Sequence, residues 1–244
     1  FLPPIITYMS LLSLVIPCYN EEANIPLLVK RVAEVLGGRE LELVLVDNGS
    51  RDGTGDAIRQ AAEQYPFIIL VTVEKNIGYG HGIMMGLRHA KGDVLCWTHA
   101  DMQTDPEDVI RAYDAYQKEK GSIVVKGRRR ARPLRDWVFT SGMSLAASVV
   151  LGKRLGDINA QPKLFGRDFY ALMKNPPDDF SLDLYWMYLA RLHGFRVVEI
   201  PVRFSTRIYG VSKSGPTLGK KIQTSVRTFL YITRLRRTMR VVAG

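Results

Sequence analysis

The first 125 residues alternate short apolar runs with longer amphipathic segments, and this alternation restricts the fold more than any other feature of the sequence. Five runs rich in Val, Ile and Leu predict strands at residues 12–17, 41–47, 67–73, 94–98 and 123–125. The segments between them predict helices at residues 24–36, 55–65, 80–90 and 106–120. The strands are almost continuously apolar, which is typical of a parallel sheet covered by helices on both faces. The sequence therefore predicts an α/β fold with a Rossmann-like, mostly parallel sheet.

The second half of the chain is less regular. Its apolar patterns predict helices at residues 134–151, 182–192 and 217–237, a strand at 195–202, and a loop with a short strand at 157–165. In the last helix, apolar residues recur at spacings of three and four, with Lys and Arg between them. This basic amphipathic pattern fits a helix lying in a membrane interface and equally a helix packed on the domain.

Positive charge is concentrated at the C-terminal end. The 244 residues carry 34 Lys and Arg against 24 Asp and Glu, a net charge of +10. Ten basic residues and no acidic residue follow Glu199, so the first 199 residues are neutral on balance. Such a bias suits an anionic membrane surface or phosphate-bearing ligands. No apolar stretch reaches the roughly 18 residues needed to cross a bilayer, so we expect a soluble or membrane-surface protein. Two cysteines exclude a disulfide scaffold and a four-cysteine zinc site.

Polar residues follow each of the first four predicted strands. Tyr19 and Glu21 follow the first strand, Asp47 ends the second, and Asp101 follows the fourth. The carboxyl ends of parallel strands meet at one edge of a sheet, so these residues predict a single site. A carboxylate such as Asp47 can accept hydrogen bonds from a base or ribose, and Tyr19 can stack on a ring. Glycines near the strand ends would let the backbone approach a bulky ligand: Gly49, Gly53, Gly78, Gly80 and Gly82.

The segment after the fourth strand predicts a divalent metal. Asp101 and Gln103 offer oxygen ligands at alternate positions, which suit Mg²⁺ or Mn²⁺. His99 offers a nitrogen, a softer ligand that would favour Mn²⁺. A cation held there would neutralise a departing nucleoside diphosphate.

Six segments in this order resemble the family 2 glycosyltransferases of GT-A fold. The last of them follows a Glu-Ile-Pro-Val strand and narrows the resemblance to enzymes like dolichyl-phosphate mannose synthase and other polyprenyl-phosphate glycosyltransferases. The segments are SLVIPCYNEE (13–22), VDNGSRDGT (46–54), NIGYG (76–80), GDV (92–94), ADMQ (100–103) and RIYGVSK (207–213).

The resemblance implies roles for the residues at the predicted site. The donor nucleotide sugar would be held by five residues besides Asp101: Pro17, Tyr19, Glu21, Asp47 and Gly78. Asp101 with Gln103 would hold the metal. His99 stands where the family usually has the first Asp of an Asp-Ala-Asp motif.

The resemblance also implies cations for an acceptor phosphate. Arg128, just after the fifth predicted strand, matches the family's Ser-Arg position, and Arg207 and Lys213 match its C-terminal motif. With Asp101, these three are the expected catalytic residues. Lys163 lies where the family usually has a Gly-Phe-Arg or Gly-Phe-Lys segment. We therefore expect a GT-A catalytic domain over residues 9–213 and a basic amphipathic helix over residues 214–244. This helix could lie at a membrane surface.

The expected reaction is inverting transfer of a sugar from a donor such as GDP-mannose or a UDP-sugar to a dolichyl or undecaprenyl phosphate. The phosphate oxygen of this acceptor is already ionised, so the site needs cations and no strong general base. We expect a cytoplasmic enzyme, peripheral at the cytoplasmic membrane face and in contact with anionic lipid. One alternative is transfer to a saccharide hydroxyl, with Asp183 as the only candidate base. A basic nucleic-acid-binding module is a weaker alternative, and no nucleic acid partner is expected, because no aromatic residues interleave the basic cluster in the middle of the chain. This cluster consists of Lys126, Arg128, Arg129, Arg130, Arg132 and Arg135.

Overall fold

The structure is a computed structural model, and it describes residues 11–130, 134–205 and 230–237. For residues 134–141 and 143 it describes the backbone without the side chains. The seven strands of the described residues are β1 (Leu12–Cys18), β2 (Leu41–Asn48), β3 (Ile68–Val73), β4 (Val94–Trp97), β5 (Ile123–Arg130), β6 (Lys163–Gly166) and β7 (Arg196–Arg203). The helices between them are α1 (Ile25–Leu36), α2 (Thr54–Gln64), α3 (Tyr79–His89), α4 (Glu107–Lys118), α5 (Leu134–Leu151), α6 (Arg167–Leu172) and α7 (Leu182–Leu192).

All seven strands form one sheet in the order β3-β2-β1-β4-β6-β5-β7. Four neighbouring pairs consist of parallel strands, and β6 alone among the described strands runs antiparallel to its two neighbours, β4 and β5. The β1, β2 and β4 strands at the centre are parallel and in direct register. The predicted α/β fold with a mostly parallel sheet is therefore confirmed.

Helices cover both faces of this sheet because the central strands are apolar on both sides. In β1, Leu14 and Ile16 point to one face, and Val15, between them, points to the other. The helices α1, α2 and α4 pack on the first face, and α3, α5, α6 and α7 contribute to the core on the second.

The structure departs from the predicted elements in three places. The β5 strand continues through a polar run to Arg130, whereas the apolar pattern ended at residue 125. It continues because β7 pairs with it along the whole run, from Ile123 to Arg130. The short strand predicted near residue 165 exists as β6 in the reversed direction, and the α6 helix that follows it was not predicted.

The described end of the C-terminal segment packs on the same core. Residues 230–237 are helical, and Ile232 and Leu235 lie in the apolar core with Ala147 and Leu151 of α5. The remainder of the helix predicted at residues 217–237 lies outside the described residues. Within the part of the chain that is described, no helix combines the length and apolar character needed to cross a bilayer.

Candidate functional site

The carboxyl ends of β1 and β2 lie side by side and bring together the residues expected to hold a nucleotide. In the parallel register Cys18 lies opposite Asp47, and Pro17 and Tyr19 flank Cys18 in the chain. Burial raises the pKa of the Cys18 thiol, and the negative charges of Glu21 and Asp47 raise it further. Both carboxylates therefore lie near this thiol, which stays protonated at neutral pH.

The loops that follow β1 and β2 are joined to each other through backbone amides. Asn20 N donates to Ser50 Oγ at 3.1 Å, and Arg51 N donates to Asn20 Oδ1 at 2.9 Å. Glu21 N donates to Thr54 Oγ1 at 2.9 Å. Asn20 adopts a left-handed φ of 55°, which Asn tolerates better than most residues. These bonds hold the two strand ends in a fixed relation.

Each carboxylate at these strand ends is oriented by a neighbour near the start of the following helix. Asp47 Oδ1 accepts a hydrogen bond from Ser50 N at 3.0 Å, and a Cβ at Gly55 would lie only 2.7 Å from Asp47 Oδ2. Glu21 Oε2 accepts a hydrogen bond from Asn24 Nδ2 at 2.5 Å. Both acidic residues are half-buried, so they keep contact with solvent at the edge of the sheet.

The glycines expected to admit a ligand are packed against the protein itself. A Cβ at Gly78 would collide with the carbonyl oxygen of Asp178, and one at Gly80 would collide with that of Pro177. A Cβ at Gly49, Gly53 or Gly82 would also collide with protein atoms. Backbone atoms thus exclude a side chain at Gly49, Gly78 and Gly80, which the sequence alone did not reveal, and donor binding by Gly78 stays a prediction.

The loop after β4 holds Asp101 from within. Asp101 is buried, and its Oδ1 accepts a hydrogen bond from Gln103 N at 3.1 Å. Met102, between them, adopts a left-handed φ of 55°. The hydroxyls of Thr98 and Thr104 lie 3.1 Å apart and close the loop at its base. We call residues 98–104 the Asp101 loop.

Two other parts of the chain contact the Asp101 loop. The His99 ring packs on the Tyr79 ring, with centroids 5.3 Å apart and 32° between the planes. Gln103 Nε2 donates to Ser205 O at 3.1 Å, and Ser205 N donates to Gln103 O at 2.9 Å. The loop is therefore connected to the start of α3 and to the chain that leaves β7.

The ligands available on this loop fit a divalent cation shared with a bound phosphate group. Carboxylate and amide oxygens from Asp101 and Gln103 suit a hard cation, and the His99 imidazole suits Mn²⁺ better than Mg²⁺. Among the described residues, no group of three or more His, Cys, Asp or Glu side chains could hold a metal ion. A cation held by Asp101, Gln103 and His99 would therefore have coordination positions left for ligands from a bound molecule.

With this geometry in place, comparison with known proteins decides the family. The sequence model of glycosyl transferase family 2 matches residues 13–179, which is more than half of the chain. The chain belongs to glycosyl transferase family 2. The matched span contains the ends of β1, β2 and β4 and the Asp101 loop, so family 2 glycosyltransferases share the part of the chain that forms the site.

Curated relatives of this family 2 glycosyltransferase are named undecaprenyl-phosphate 4-deoxy-4-formamido-L-arabinose transferase. The protein from Klebsiella pneumoniae strain 342 is 30% identical over 208 residues, which cover 82% of this chain and 62% of that protein. The protein from Photorhabdus laumondii is 31% identical over 208 residues with the same coverage. The chain thus spans less than two thirds of the length of these relatives.

Solved structures show the same fold. Glucosyl-3-phosphoglycerate synthase from Mycobacterium tuberculosis, in complex with Mn²⁺, UDP and glucosyl-3-phosphoglycerate, has a TM-score of 0.68 and 17% identity, over 92% of this chain and 80% of that one. The mannosyltransferase PcManGT from Pyrobaculum calidifontis, in complex with GDP-Man and Mn²⁺, has a TM-score of 0.63 and 24% identity, over 91% and 65%. At these identities the likeness establishes the GT-A fold alone, as the resemblance implied.

The cations expected at the acceptor are only partly within the described residues of this family 2 enzyme. Arg128 was expected just after the fifth strand, and that placement is wrong, because β5 extends past it and pairs it with Pro201 of β7. The Arg128 side chain is 70% exposed, and its Nε lies 3.9 Å from Glu199 Oε2. Arg207 and Lys213 lie outside the described residues.

Two basic residues of β5, Lys126 and Arg129, are each paired with an acidic residue. Lys126 Nζ lies 3.0 Å from Glu199 Oε1, and burial lowers the pKa of this lysine despite the opposing effect of Glu199. Arg129 donates to Asp157 from its backbone N at 2.8 Å, from Nε at 3.0 Å and from Nη2 at 2.6 Å. Burial on its own would raise the pKa of Asp157, but the hydrogen bonds and charge of Arg129 lower it overall.

One cluster behind the Asp101 loop was missed by the sequence reasoning. Lys163 Nζ lies 2.8 Å from Asp183 Oδ1, and both side chains are buried. Gln161 Nε2 donates to Asp183 Oδ1 at 3.2 Å and to Tyr79 Oη at 3.1 Å. Burial raises the pKa of the Tyr79 hydroxyl, and the charges of Asp183 and Asp101 raise it further. We call Lys163, Asp183, Gln161 and Tyr79 the Lys163 cluster.

The sequence contained a signal for this pair. Lys163 and Asp183 are each a single charge inside an apolar run, and buried charges of this kind are almost always paired. Their separation of twenty residues did not reveal that β6 and the start of α7 meet. The pairing leaves Asp183 buried against a lysine, which is a poor arrangement for a base that must reach a substrate hydroxyl.

Proposed function

We propose that this family 2 glycosyltransferase moves a sugar from a nucleoside diphosphate sugar to a polyprenyl phosphate, with inversion and with Mg²⁺ or Mn²⁺. The names of the curated relatives support an undecaprenyl phosphate acceptor. The neighbours of known structure that hold UDP or GDP-Man with Mn²⁺ support the donor class and the metal. The identity of the base and sugar of the donor is left to experiment.

The double hydrogen bond between Gln103 and Ser205 carries this proposal. It joins the loop expected to bind the metal to the point where the chain continues toward RIYGVSK. Arg207 is two residues beyond Ser205 in the sequence, and two residues span at most about 7 Å. The chain that continues toward Arg207 therefore leaves from the Asp101 loop, which supports a role for this cation at a phosphate that approaches the donor.

On this proposal the donor nucleotide lies at the carboxyl ends of β1 and β2. Pro17, Tyr19, Glu21 and Asp47 would contact the nucleoside, because the two strand ends place them together beside solvent. The Asp101 loop would hold the cation through Asp101, Gln103 and His99. A bound cation supplies the positive charge that stabilises the departing diphosphate.

The acceptor half of the proposal requires cations and no general base. A phosphate monoester is ionised at neutral pH, so it attacks the anomeric carbon without giving up a proton. Arg128, Arg207 and Lys213 would hold it close to the donor and offset the repulsion between the two phosphate groups. The burial of Asp183 against Lys163 agrees with a reaction that does not use this carboxylate as a base.

We also propose that the enzyme binds peripherally to an anionic membrane surface on the cytoplasmic side. Leu145 and Val149 lie one turn apart on α5 and are 66% and 73% exposed. Leu230, in the C-terminal helical segment, is also exposed, and it precedes the basic residues Arg234 and Arg236. Exposed apolar side chains with arginines nearby suit the interface of an anionic bilayer.

The direct test is turnover with a panel of UDP- and GDP-sugars, with Mn²⁺ or Mg²⁺, and a short polyprenyl phosphate as acceptor. Arg207→Ala and Lys213→Ala should each abolish transfer while nucleotide binding, measured by calorimetry, stays within about twofold. Arg196→Ala is the matched control, because Arg196 is an exposed cation at the opposite end of β7 that pairs with Glu119. This control should transfer at the wild-type rate.

The outcomes separate the candidate functions. Transfer to the lipid phosphate with loss in both variants supports the proposal. Hydrolysis of the donor without lipid product, or transfer to a saccharide hydroxyl, would contradict the acceptor while retaining the donor site. Equal loss of nucleotide binding and of transfer in Arg207→Ala would contradict the acceptor-phosphate role of that residue.

A further inference from the structure

The Tyr79 side chain joins the Lys163 cluster to the Asp101 loop. This residue begins α3, and its ring packs against two others, those of His99 and Phe180. The Tyr79 and Phe180 rings are stacked, with centroids 4.8 Å apart and 13° between the planes. The Tyr79 hydroxyl accepts the hydrogen bond from Gln161 Nε2. Both the plane of the ring and its rotation are therefore defined by neighbours.

The orientation of Gln161 is in turn set by the buried ion pair. Its Nε2 donates to both oxygens of Asp183, at 3.2 and 3.3 Å, while its Oε1 finds no hydrogen-bond donor among the described residues. The opposite amide orientation would place Oε1 against the Asp183 carboxylate, which is electrostatically unfavourable. The Nε2 group must therefore face both Asp183 and Tyr79.

Stability alone is a weak reason for this pair to be buried. Removing two charges from water costs about as much as their attraction returns, and apolar replacements of buried pairs are often at least as stable. Lys163 also donates to Ala160 O at 3.2 Å, so the pair fixes the chain immediately before Gln161 as well as its side chain. The pair is also where the Gln161 amide donates, because Asp183 accepts from its Nε2 with both oxygens.

We propose that Gln161 and Tyr79 are positioning residues for the Asp101 loop: the buried Lys163–Asp183 pair orients Gln161, Gln161 fixes Tyr79, and the Tyr79 ring holds His99 in its place on the loop. This inference rests on the proposed function, since it assigns the loop to the cation that accompanies the nucleotide. Gln161 and Tyr79 act through His99, so they need not touch the substrate. Their effect should therefore appear in cation-dependent nucleotide binding.

A double-mutant cycle between Tyr79→Phe and His99→Ala tests the inference. Tyr79→Phe keeps the ring and removes the acceptor for Gln161. The dissociation constants of UDP and of GDP would be measured by calorimetry, with Mn²⁺ and again with EDTA. With Mn²⁺, we expect Tyr79→Phe to weaken nucleotide binding about 3- to 10-fold, the usual effect of one hydrogen bond. With EDTA, and in the His99→Ala background, the same substitution should have no effect.

Tyr185→Phe is the matched control. Tyr185 is also buried, and its hydroxyl donates to Lys174 O at 2.7 Å, so its hydrogen bond involves no residue of the Asp101 loop. We expect this variant to lose stability in thermal unfolding and to keep wild-type affinity for the nucleotide with Mn²⁺. Gln161→Met removes the same hydrogen bond from the other side, so it gives a second measurement if Tyr79→Phe does not fold.

Three results would overturn the inference. They are an equal loss of affinity with Mn²⁺ and with EDTA, a full additional loss in the His99→Ala background, and unchanged affinity in both Tyr79→Phe and Gln161→Met. Failure of the wild-type chain to bind either nucleotide more tightly with Mn²⁺ is a different result. It would contradict the metal-dependent donor site of the proposed function, and the inference with it.

Discussion

Replacing Lys163 with Met should destabilise the protein far more than the same replacement at Lys126. Lys163→Met keeps the length of the side chain and removes its charge. The Asp183 carboxylate is almost completely buried, so it would lose its cation with no access to water in exchange. Breaking a buried ion pair from one side typically costs about 3–5 kcal/mol of unfolding free energy. We expect a loss in this range.

Lys126 is an equally buried lysine whose partner has a different environment. The Glu199 side chain is 35% exposed, so water can solvate its carboxylate when Lys126 is replaced. Leaving a partly solvated group without its partner costs about 1–2 kcal/mol. Lys126→Met is therefore the matched control, with the same substitution at the same burial and a smaller expected loss.

Urea unfolding at pH 7 measures both losses directly. In thermal unfolding, 1 kcal/mol corresponds to about 2–4 °C for a chain of this size, so Lys163→Met should lower Tm by about 6–20 °C. The double variant Lys163→Met with Asp183→Leu should recover most of the loss, because no charge is then left buried. The reasoning is refuted if Lys163→Met costs no more than Lys126→Met, or if the double variant is as unstable as the single one.

Three further predictions concern other parts of the site. Asp101→Asn should weaken Mn²⁺-dependent nucleotide binding at least about tenfold, measured by calorimetry, and an unchanged affinity would exclude Asp101 as a ligand. Burial alone would raise the pKa of Asp157, but Arg129 lowers it overall in the folded protein. The ionised Asp157 therefore stabilises the fold above about pH 4, and this contribution to the free energy of unfolding disappears as the pH falls through the folded pKa. The stability advantage of the wild type over Asp157→Asn in urea should therefore shrink between about pH 5 and pH 2, and a constant difference would argue against it. Gly78→Ala should cost about 1–3 kcal/mol, because its Cβ would collide with Asp178 O, and an unaltered Tm would contradict that packing.

The sequence predicted the parallel half of the sheet because each of its strands is apolar on both faces. This pattern is local, and it indicates burial between two layers of helices without knowledge of the rest of the chain. The direction of β6 could not be predicted in the same way. Its four residues carry a buried lysine, and their direction depends on where the long segment after β5 returns to the sheet.

The length of β5 depended on a partner distant in the sequence. Residues 126–130 read Lys-Gly-Arg-Arg-Arg, which has no apolar alternation, and they form a strand because β7 provides hydrogen bonds along it. A Cβ at Gly127 would collide with Gln161 O, so this strand also passes close to the Lys163 cluster. Tertiary contacts of this kind override local preference for a strand or loop.

In the candidate site, too, the sequence predicts some features and not others. The rule that parallel strands end at one edge was enough to assign Glu21, Asp47 and Asp101 to the same edge of the sheet, because it needs only strand order and direction. The contacts that orient those residues come from loops, and loops depend on particular side chains such as Asn20 and Thr54. Spacing in the sequence does not predict such contacts.

Under the proposed function, the contacts of the Asp101 loop give a reason to treat the donor and acceptor sides as one unit. Gln103 belongs to the Asp101 loop, and it exchanges hydrogen bonds with Ser205 in both directions. His99, on the same loop, rests on Tyr79, whose hydroxyl is fixed through Gln161 to a buried ion pair. A displacement of the loop would therefore disturb both the chain leading toward RIYGVSK and the start of α3. A site that must bring two phosphate groups together benefits from such a connection, because the cations that offset their repulsion have to be in place at the same time.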